Sequence, residues 1–399
     1  MSNLQSLLLE KCPNGVAYQP LGDVCDTVTD YVAAGSFAEL AKRVQYLSQP
    51  DYALLVRTMD IKSNFTKGNL IYIDESAYEF LWRVHLDQDS IVLPNIGNCG
   101  EVYYLRPSDL PFERCALATN AILVRASQYN LRYLFYVFQT PDFQKKLAKI
   151  ISPTGQTKFN KTDLKKITIP VPPIEIQDEI VQILDNFAEL TAELTAELSN
   201  RKKQYEYYRN LLLRFDENTE RERVGLIMRY EQPGKYIVKS TAYSDEYKTP
   251  VLTAGQSFIL GYTNETENIF HASKENPVII FDDFTTSFHW VDFDFKVKSS
   301  AMKMLRLNNR EKASLRYVYY AMQCINYTPG EHSRQWISKY SNFEIPLPRK
   351  ETQDKIVDTL NKFDSIASSL SEGIPAEIEA RQKQYAYYRD KLLTFEEAK

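Results

Sequence analysis

From Ile176 onward the apolar residues of this chain recur in steps of three and four. They fall at Ile176, Ile180, Ile183, Phe187, Leu190, Leu194, Leu198, Tyr205, Tyr208 and Leu212. That spacing lines one face of a helix and predicts a helix over 174–214, with a coiled-coil-like seam and a stutter at Leu194–Leu198. Pro172 and Pro173 suit its lead-in or first turn. As a helix the segment extends roughly 60 Å at about 1.5 Å per residue. A second series runs through Ile356, Leu360, Phe363, Leu370, Ile378, Tyr385, Tyr388 and Leu392. Gly373-Ile374-Pro375 interrupts it: Gly373 is expected to close one helix and Pro375 to open the next.

Ahead of each helical series the pattern changes to short β-rich runs punctuated by Gly, Pro, Asn and Asp. In 52–125 these are YALLVR, NLIYI, SIVLP, EVYYL and AILVR; in 236–306 they are YIVK, PVLTA, SFILGY, PVIIFD, FHWVDFDFKV and AMKMLR.

The chain also repeats itself. IPVPPIEIQDEIVQILDNF around Ile169 matches IPLPRKETQDKIVDTLNKF around Ile345 at an offset of 176. RKKQYEYYRNLLLRF (201–215) matches RQKQYAYYRDKLLTF (381–395) at 180, and LRYLFYVFQ (131–139) matches LRYVYYAMQ (315–323) at 184. Three ordered matches imply an ancestral duplication. Leu7-Leu8-Leu9 resembles Leu211-Leu212-Leu213, and Gly22 then corresponds to Gly225. The C-terminal Leu392-Leu393-Thr394-Phe395 ends where another front could begin. The expectation is an α+β protein in which two mixed, mostly β domains (1–168 and 216–344) are joined by two helical spacers (169–215 and 345–399). The spacers are expected to form an antiparallel coiled coil with a pseudo-twofold internal repeat.

Charge narrows the function. The 399 residues carry 48 Lys+Arg against 52 Asp+Glu, a net of -4. The balance is +1 over 1–168, -3 over 169–215, -1 over 216–344 and -1 over 345–399. An autonomous DNA-binding domain carries a marked basic excess, and none of these segments exceeds +1. No run of about 18 apolar residues suggests a membrane span. The N-terminus does not resemble a signal peptide. The five scattered cysteines form no CxxC pair, which argues against zinc and a disulfide framework. A cytoplasmic protein with no membrane association is the expectation.

Signals for catalysis are weak: GxxxxGK[ST], HExxH, GxSxG and an Asn/Asp-Pro-Pro-Tyr/Phe motif are all missing. The four histidines share no metal spacing. Pro50-Asp51…Asp60-Ile61-Lys62 loosely imitates a metal-dependent nuclease, in which two carboxylates hold Mg²⁺ beside a lysine. Pro141-Asp142…Asp163-Leu164-Lys165 imitates it equally well, and solvated loop charges explain both. No catalytic or metal site is assigned.

Signals for recognition are stronger. Ser152–Lys161 is a polar loop between helical stretches. Gly155 permits close backbone approach, Thr154, Thr157, Lys158 and Lys161 offer phosphate donors, and Gln156 and Asn160 suit bidentate contact with adenine. Pro329–Trp336 stands in the corresponding place of the second copy, with His332 in the loop and Arg334 and Gln335 as candidate readers. Asp282–Trp290 is a second polar-aromatic turn containing Thr285, Thr286, Ser287 and His289, and Asn95–Asn98 sits similarly in the first copy. Asn95 and Asn98 join the candidates. A plain surface loop is the alternative for each.

The PNGVAYQPLGDVCD opening, both PxP–x–QDxIVxxLxxF segments, both KQYxYYR blocks and GIPAEIEARQKQY together resemble the specificity (S) subunit of type I restriction–modification systems. The stretch TPVLTAGQSFILGYTNE…IIFDDFTTSFHWVDFDFKVKSSAMKM looks like a target recognition domain of that family. The resemblance covers essentially the whole chain, departing in the helix break found only in copy two. It implies a non-catalytic subunit with no cofactor, reading a bipartite site in double-stranded DNA, one half per recognition domain. It would hold two methylation subunits, forming an adenine methyltransferase, and through them two restriction subunits. Those partners would use S-adenosylmethionine, ATP and Mg. The competing readings are a coiled-coil adaptor without nucleic acid and a stand-alone nuclease using Asp51 or Asp60.

Overall fold

A computed structural model of the chain describes residues 2–152, 155, 157–253, 258–331, 333–368 and 374–398. They form two compact units, one made of 1–193 with 378–399 and the other of 194–377.

In the first unit the strands Thr27–Asp30, Ala121–Arg125, Ser90–Pro94 and Tyr103–Leu105 lie in that order in a four-stranded antiparallel sheet. A three-stranded sheet pairs Ala53–Val56 antiparallel to Tyr72–Ile73 and parallel to Cys115–Leu117. The second unit has the same connectivity. Met228–Glu231, Met302–Leu307, Val278–Asp282 and Phe288–Val291 form its four-stranded antiparallel sheet. Thr249–Leu252 pairs antiparallel to Ile259–Thr263 and parallel to Lys296–Val297. The five apolar runs expected in the first front each contain a strand. In the second front YIVK does not: Gly234–Tyr236 is a 3-10 turn, and Ile237 reaches the sheet through a single bridge to Val297. FHWVDFDFKV divides between the two sheets, because Asp292 and Asp294 lie between its apolar halves.

Ile174–Leu212 is one continuous helix, as its periodicity predicts. In copy two the helix Lys350–Ser368 is separate from Ile374–Leu392, which opens with Pro375 near its start; Gly373 lies outside the described residues. Among the described residues no helix is long and apolar enough to cross a membrane.

Each unit packs its sheet, a short Tyr-rich helix and parts of the long helices into one core, with the same contacts at duplicated positions. Gln177 and Gln353 are almost wholly buried. Their Oε1 atoms accept the N–H groups of Asn130 and Ser314, and their Nε2 atoms donate to the carbonyls of Pro172 and Pro348. The hydroxyls of Tyr133 and Tyr317 donate to Pro170 and Pro346. Phe187 stacks on Tyr388 at 5.4 Å in the first unit, and Tyr208 on Phe363 at 5.1 Å in the second. The matched segments are therefore the parts that carry buried polar joints, where an unmade hydrogen bond would cost most.

The duplicated glycines have a steric reason. A Cβ on Gly22 would come within 3.1 Å of the Lys165 side chain, and one on Gly225 within 2.8 Å of the Ser341 side chain. The leucine correspondence needs revision. Leu213 is buried in the second unit, but Leu9 is 77% exposed, and the buried leucine at this point of the first unit is Leu393. The C-terminal segment takes that place because Val16 exchanges backbone hydrogen bonds with Glu396 and Ala398, at 2.8 and 3.0 Å.

Candidate nucleic-acid interface

At the end of the strand Ser90–Pro94 the chain turns through Asn95–Asn98. There it meets the loop after the helix Pro141–Ile150. Ile96 bridges to Lys158, the Gly97 N–H donates to the Thr157 carbonyl at 2.9 Å, and the Thr157 hydroxyl returns to the Gly97 carbonyl at 2.6 Å. Two stretches about sixty residues apart thus become one ridge. Asn98, Gly155, Thr157 and Lys158 face solvent on it, and Gly155 adopts a φ of 70° with open space around its α-carbon. Thr154 and Gln156 lie outside the described residues.

Three of the polar candidates hold the ridge in place. Asn160 caps the turn Lys161–Leu164: its Oδ1 accepts the Asp163 N–H at 2.8 Å and its Nδ2 donates to the Asp163 carboxylate at 2.8 Å. Lys161 pairs with Asp30 at 2.9 Å. Asn95 donates from Nδ2 to the Phe159 carbonyl at 3.2 Å, while its buried Oδ1 has no partner.

The second unit repeats the arrangement with different residues. After Val278–Asp282 the chain turns through Asp283–Ser287. Asp282 Oδ1 accepts the N–H groups of Phe284 and Thr285 at 2.7 and 2.9 Å, and Thr286 sits at a φ of 60°. Thr285 and Ser287 are exposed and share a hydroxyl–hydroxyl bond of 2.7 Å. Thr286 is 7% exposed, with its hydroxyl returned to the Thr285 carbonyl, so it shapes the turn and offers little surface. His289 is open to solvent on one side and stacked on Phe258 on the other, at 4.2 Å; that cover lowers its pKa.

The 333–336 stretch is fastened to this turn by Asp283. Its carbonyl accepts the Gln335 N–H at 2.7 Å and its Oδ1 accepts the Trp336 N–H at 2.8 Å. Gln335 differs from expectation. It is 1% exposed, Nε2 donates to Ser333, and Oε1 accepts from the Tyr327 hydroxyl at 2.6 Å, so no edge is left for a base. Arg334 is 52% exposed, with its guanidinium 3.8 Å from Asp283. His332 lies outside the described residues.

Asn95 and Asp283 occupy equivalent points. Each donates its N–H into the neighbouring strand turn, to Asn120 at 3.0 Å and to Ala301 at 2.9 Å. Each carbonyl accepts from the post-helical loop, from Phe159 and Gln335, which are 176 residues apart like the surrounding repeat. At the adjoining strand position the first domain has Ile122 and the second Lys303, each facing the matching strand at Leu93 and Phe281. Lys303 pairs with Asp283 at 3.1 Å, both side chains 1% exposed. This buried pair was not anticipated. Its signal was a lysine inside the otherwise apolar run Met302–Leu305, which requires a buried partner.

The nuclease candidates have other roles. Asp60 is buried and bound through both oxygens by Arg57, at 2.7 and 2.8 Å, and Asp51 caps its neighbour Tyr52. Among the described residues no cluster of His, Cys, Asp and Glu could hold a metal ion.

Two sheets of one topology, each presenting a polar turn clasped to a post-helical loop, define a duplicated recognition protein. The family comparison agrees. Residues 20–203 and 222–380 match the type I restriction modification DNA specificity domain, and the chain belongs to that family. It is 52% identical over 183 residues to the EcoR124I/EcoR124II specificity subunit of Escherichia coli, a match spanning 44% of each chain. It is 29% identical over 298 residues to a putative type I specificity subunit of Haemophilus influenzae, covering 67% of this chain and 72% of that one. The fold is similar to that of a type I restriction–modification S subunit from M. genitalium, with a TM-score of 0.55 at 15% identity, covering 96% and 98% of the two chains.

Proposed function

We propose that this chain is the sequence-reading subunit of a type I restriction–modification complex. Its two domains, 1–168 and 216–344, each read one half of a bipartite double-stranded DNA site. The observation that carries this reading is the duplicated pairing of turn and loop on sheets of identical connectivity. The scaffold contacts repeat, at Gln177/Gln353, Tyr133/Tyr317 and Asn95/Asp283, while the solvent-facing residues differ: Asn98, Gly155, Thr157 and Lys158 in one domain, Thr285, Ser287, His289 and Arg334 in the other. A constant frame with variable tips suits two half-sites of different sequence.

The helical spacers, 169–215 and 345–399, set the distance between the half-sites and dock two methylation subunits, which in turn recruit two restriction subunits. S-adenosylmethionine, ATP and Mg belong to those partners, and this chain needs no cofactor of its own. Neither reading domain exceeds a net charge of +1, so the isolated chain binds DNA weakly and with strong salt dependence; the partners supply the phosphate neutralisation.

The test is exchange of residues 220–344 for the same region of another family member, with methyladenine mapped in cells carrying the complete system. One half-site changes and the other stays. A change in both, or in neither, refutes the modular reading.

A further inference from the structure

We propose that Arg132 and Arg316 are positioning residues. Each locks a reading sheet to its own spacer helix, and the two locks make the protein reject DNA sites of the wrong spacer length. The inference rests on the two-domain reading above and names what stiffens its ruler.

In the first unit Arg132 stands at the start of the helix Leu131–Phe138. Its Nε donates to Asp185 of the long helix at 2.9 Å, and its guanidinium lies 4.9 Å from the Tyr104 ring. Tyr104 is on Tyr103–Leu105, the edge strand of the four-stranded sheet and the next strand after the turn Asn95–Asn98. The rings of Phe135 and Tyr136 close the cage at 5.4 Å each, and the Tyr136 hydroxyl donates to the same Asp185 oxygen. In the second unit the Arg316 guanidinium lies 4.5 Å from the Trp290 ring, with Tyr320 and Tyr319 at 4.9 and 5.3 Å. Its Nε donates to Asn361 at 3.0 Å, and its outer nitrogen pairs with Asp364, both on the helix Lys350–Ser368. Trp290 is on the edge strand Phe288–Val291, which leaves the turn Asp283–Ser287.

The two copies show that the joint itself has been kept. Tyr104 and Trp290 are equivalent, because they stand opposite Ile91 and Ile279, whose other neighbours are Val124 and Leu305. Arg132 matches Arg316 and Tyr136 matches Tyr320 at the offset of 184. The carboxylate has moved: by the offset of 176, Asp185 corresponds to Asn361 and Asp364 to Ala188. Positions three apart share a helix face, so each guanidinium still meets a carboxylate. An apolar side chain would fill either place without the cost of desolvating a charge. What the arginine adds is direction, since its plane is held by ring faces and its fork by the spacer helix. One base pair more or less moves a half-site by about 3.4 Å and turns it by about 34°. A reader that accepts one spacer length must resist both displacements, and the arginine ties the strand next after each recognition turn to the helix that measures the spacer.

The test is methyladenine mapping in cells carrying the complete system, with the full-length chain native or altered. The native chain methylates sites of one spacer length. In Arg132→Gln and Arg316→Gln, methylation of sites one base pair longer or shorter rises about tenfold or more, the effect of losing one charge-assisted contact, while the bases read in both half-sites stay the same. Arg132→Lys and Arg316→Lys keep the charge without the planar stack and fall in between. Tyr104→Leu and Trp290→Leu remove the ring, leave the ion pair and relax the spacer as well, so they decide if the glutamine variants do not fold. A strict spacer in variants that still methylate, or a uniform fall at all sites in arginine and ring variants alike, overturns the lock. A native map with no fixed spacer refutes the two-domain reading itself, and the lock with it.

Discussion

Replacing Asp283 by alanine leaves the Lys303 ammonium 1% exposed with no carboxylate at 3.1 Å, and removes the acceptor of the Trp336 N–H. Breaking one partner of a buried ion pair costs about 3–5 kcal/mol, because the remaining charge is stranded away from water. At about 2–4 °C per kcal/mol for a unit of this size, melting of the second unit drops by roughly 6–20 °C. Lys303→Ile alone costs less, because Asp283 keeps the Trp336 N–H at 2.8 Å and the Arg334 guanidinium at 3.8 Å. The first domain shows which combination restores balance: Asn95 beside Ile122 occupies the same geometry without charge. The double variant Asp283→Asn/Lys303→Ile therefore regains most of the loss, with a coupling energy of about 2 kcal/mol or more. Tryptophan fluorescence during urea unfolding follows this, since Trp290 and Trp336 both lie in the second unit. In the assembled methyltransferase the double variant keeps the first half-site and loosens the second, whose Arg334 loop Asp283 anchors. A double variant no more stable than the weaker single variant refutes the equivalence of the two positions.

Other expectations are simpler. Inserting one further TAEL unit after Leu198 adds about 6 Å of helix against about 3.4 Å per base pair, so the preferred spacer lengthens by one or two base pairs; an unchanged spacer in methylation maps sinks the ruler reading. Gln177→Ala and Gln353→Ala each orphan a buried backbone N–H and a carbonyl, and each lowers stability by about 1–3 kcal/mol in denaturant titration. Gly225→Ala destabilises more than Gly22→Ala, because its Cβ meets the Ser341 Cβ at 2.8 Å and carbonyl oxygen at 3.0 Å, whereas the other meets the Lys165 Cβ at 3.1 Å and carbonyl oxygen at 3.3 Å; paired melting curves check the order. The His289 pKa is lowered in the folded chain, so the unfolded chain binds the proton first as pH falls below about 6.5. That part of stability is present above about pH 6.5 and is lost as pH falls toward the folded value; His289→Asn removes the dependence in that window.

The sequence by itself determined the elements with strong periodicity and the duplication. The helix from Ile174 was legible because a 3.6-residue repeat sustained over eleven turns has no competing reading. Three apolar runs of the first front, at Ala53–Val56, Ser90–Pro94 and Ala121–Arg125, were legible because strands buried on both faces are continuous apolar runs. Short pairings such as Tyr18–Pro20 with Thr168–Pro170 were not, since three-residue strands carry no pattern of their own and form only because segments about 150 residues apart are brought together. The candidate loops were found as composition, but their roles were not. Asn160, Lys161, Thr286 and Gln335 have the chemistry of nucleic-acid readers, and the fold uses them as caps, ties and buried joints. A side chain's hydrogen-bonding capacity is written in its type, whereas its partner depends on which distant segment packs beside it. Only the tertiary structure decided that Asn95 and Asp283 are the same joint.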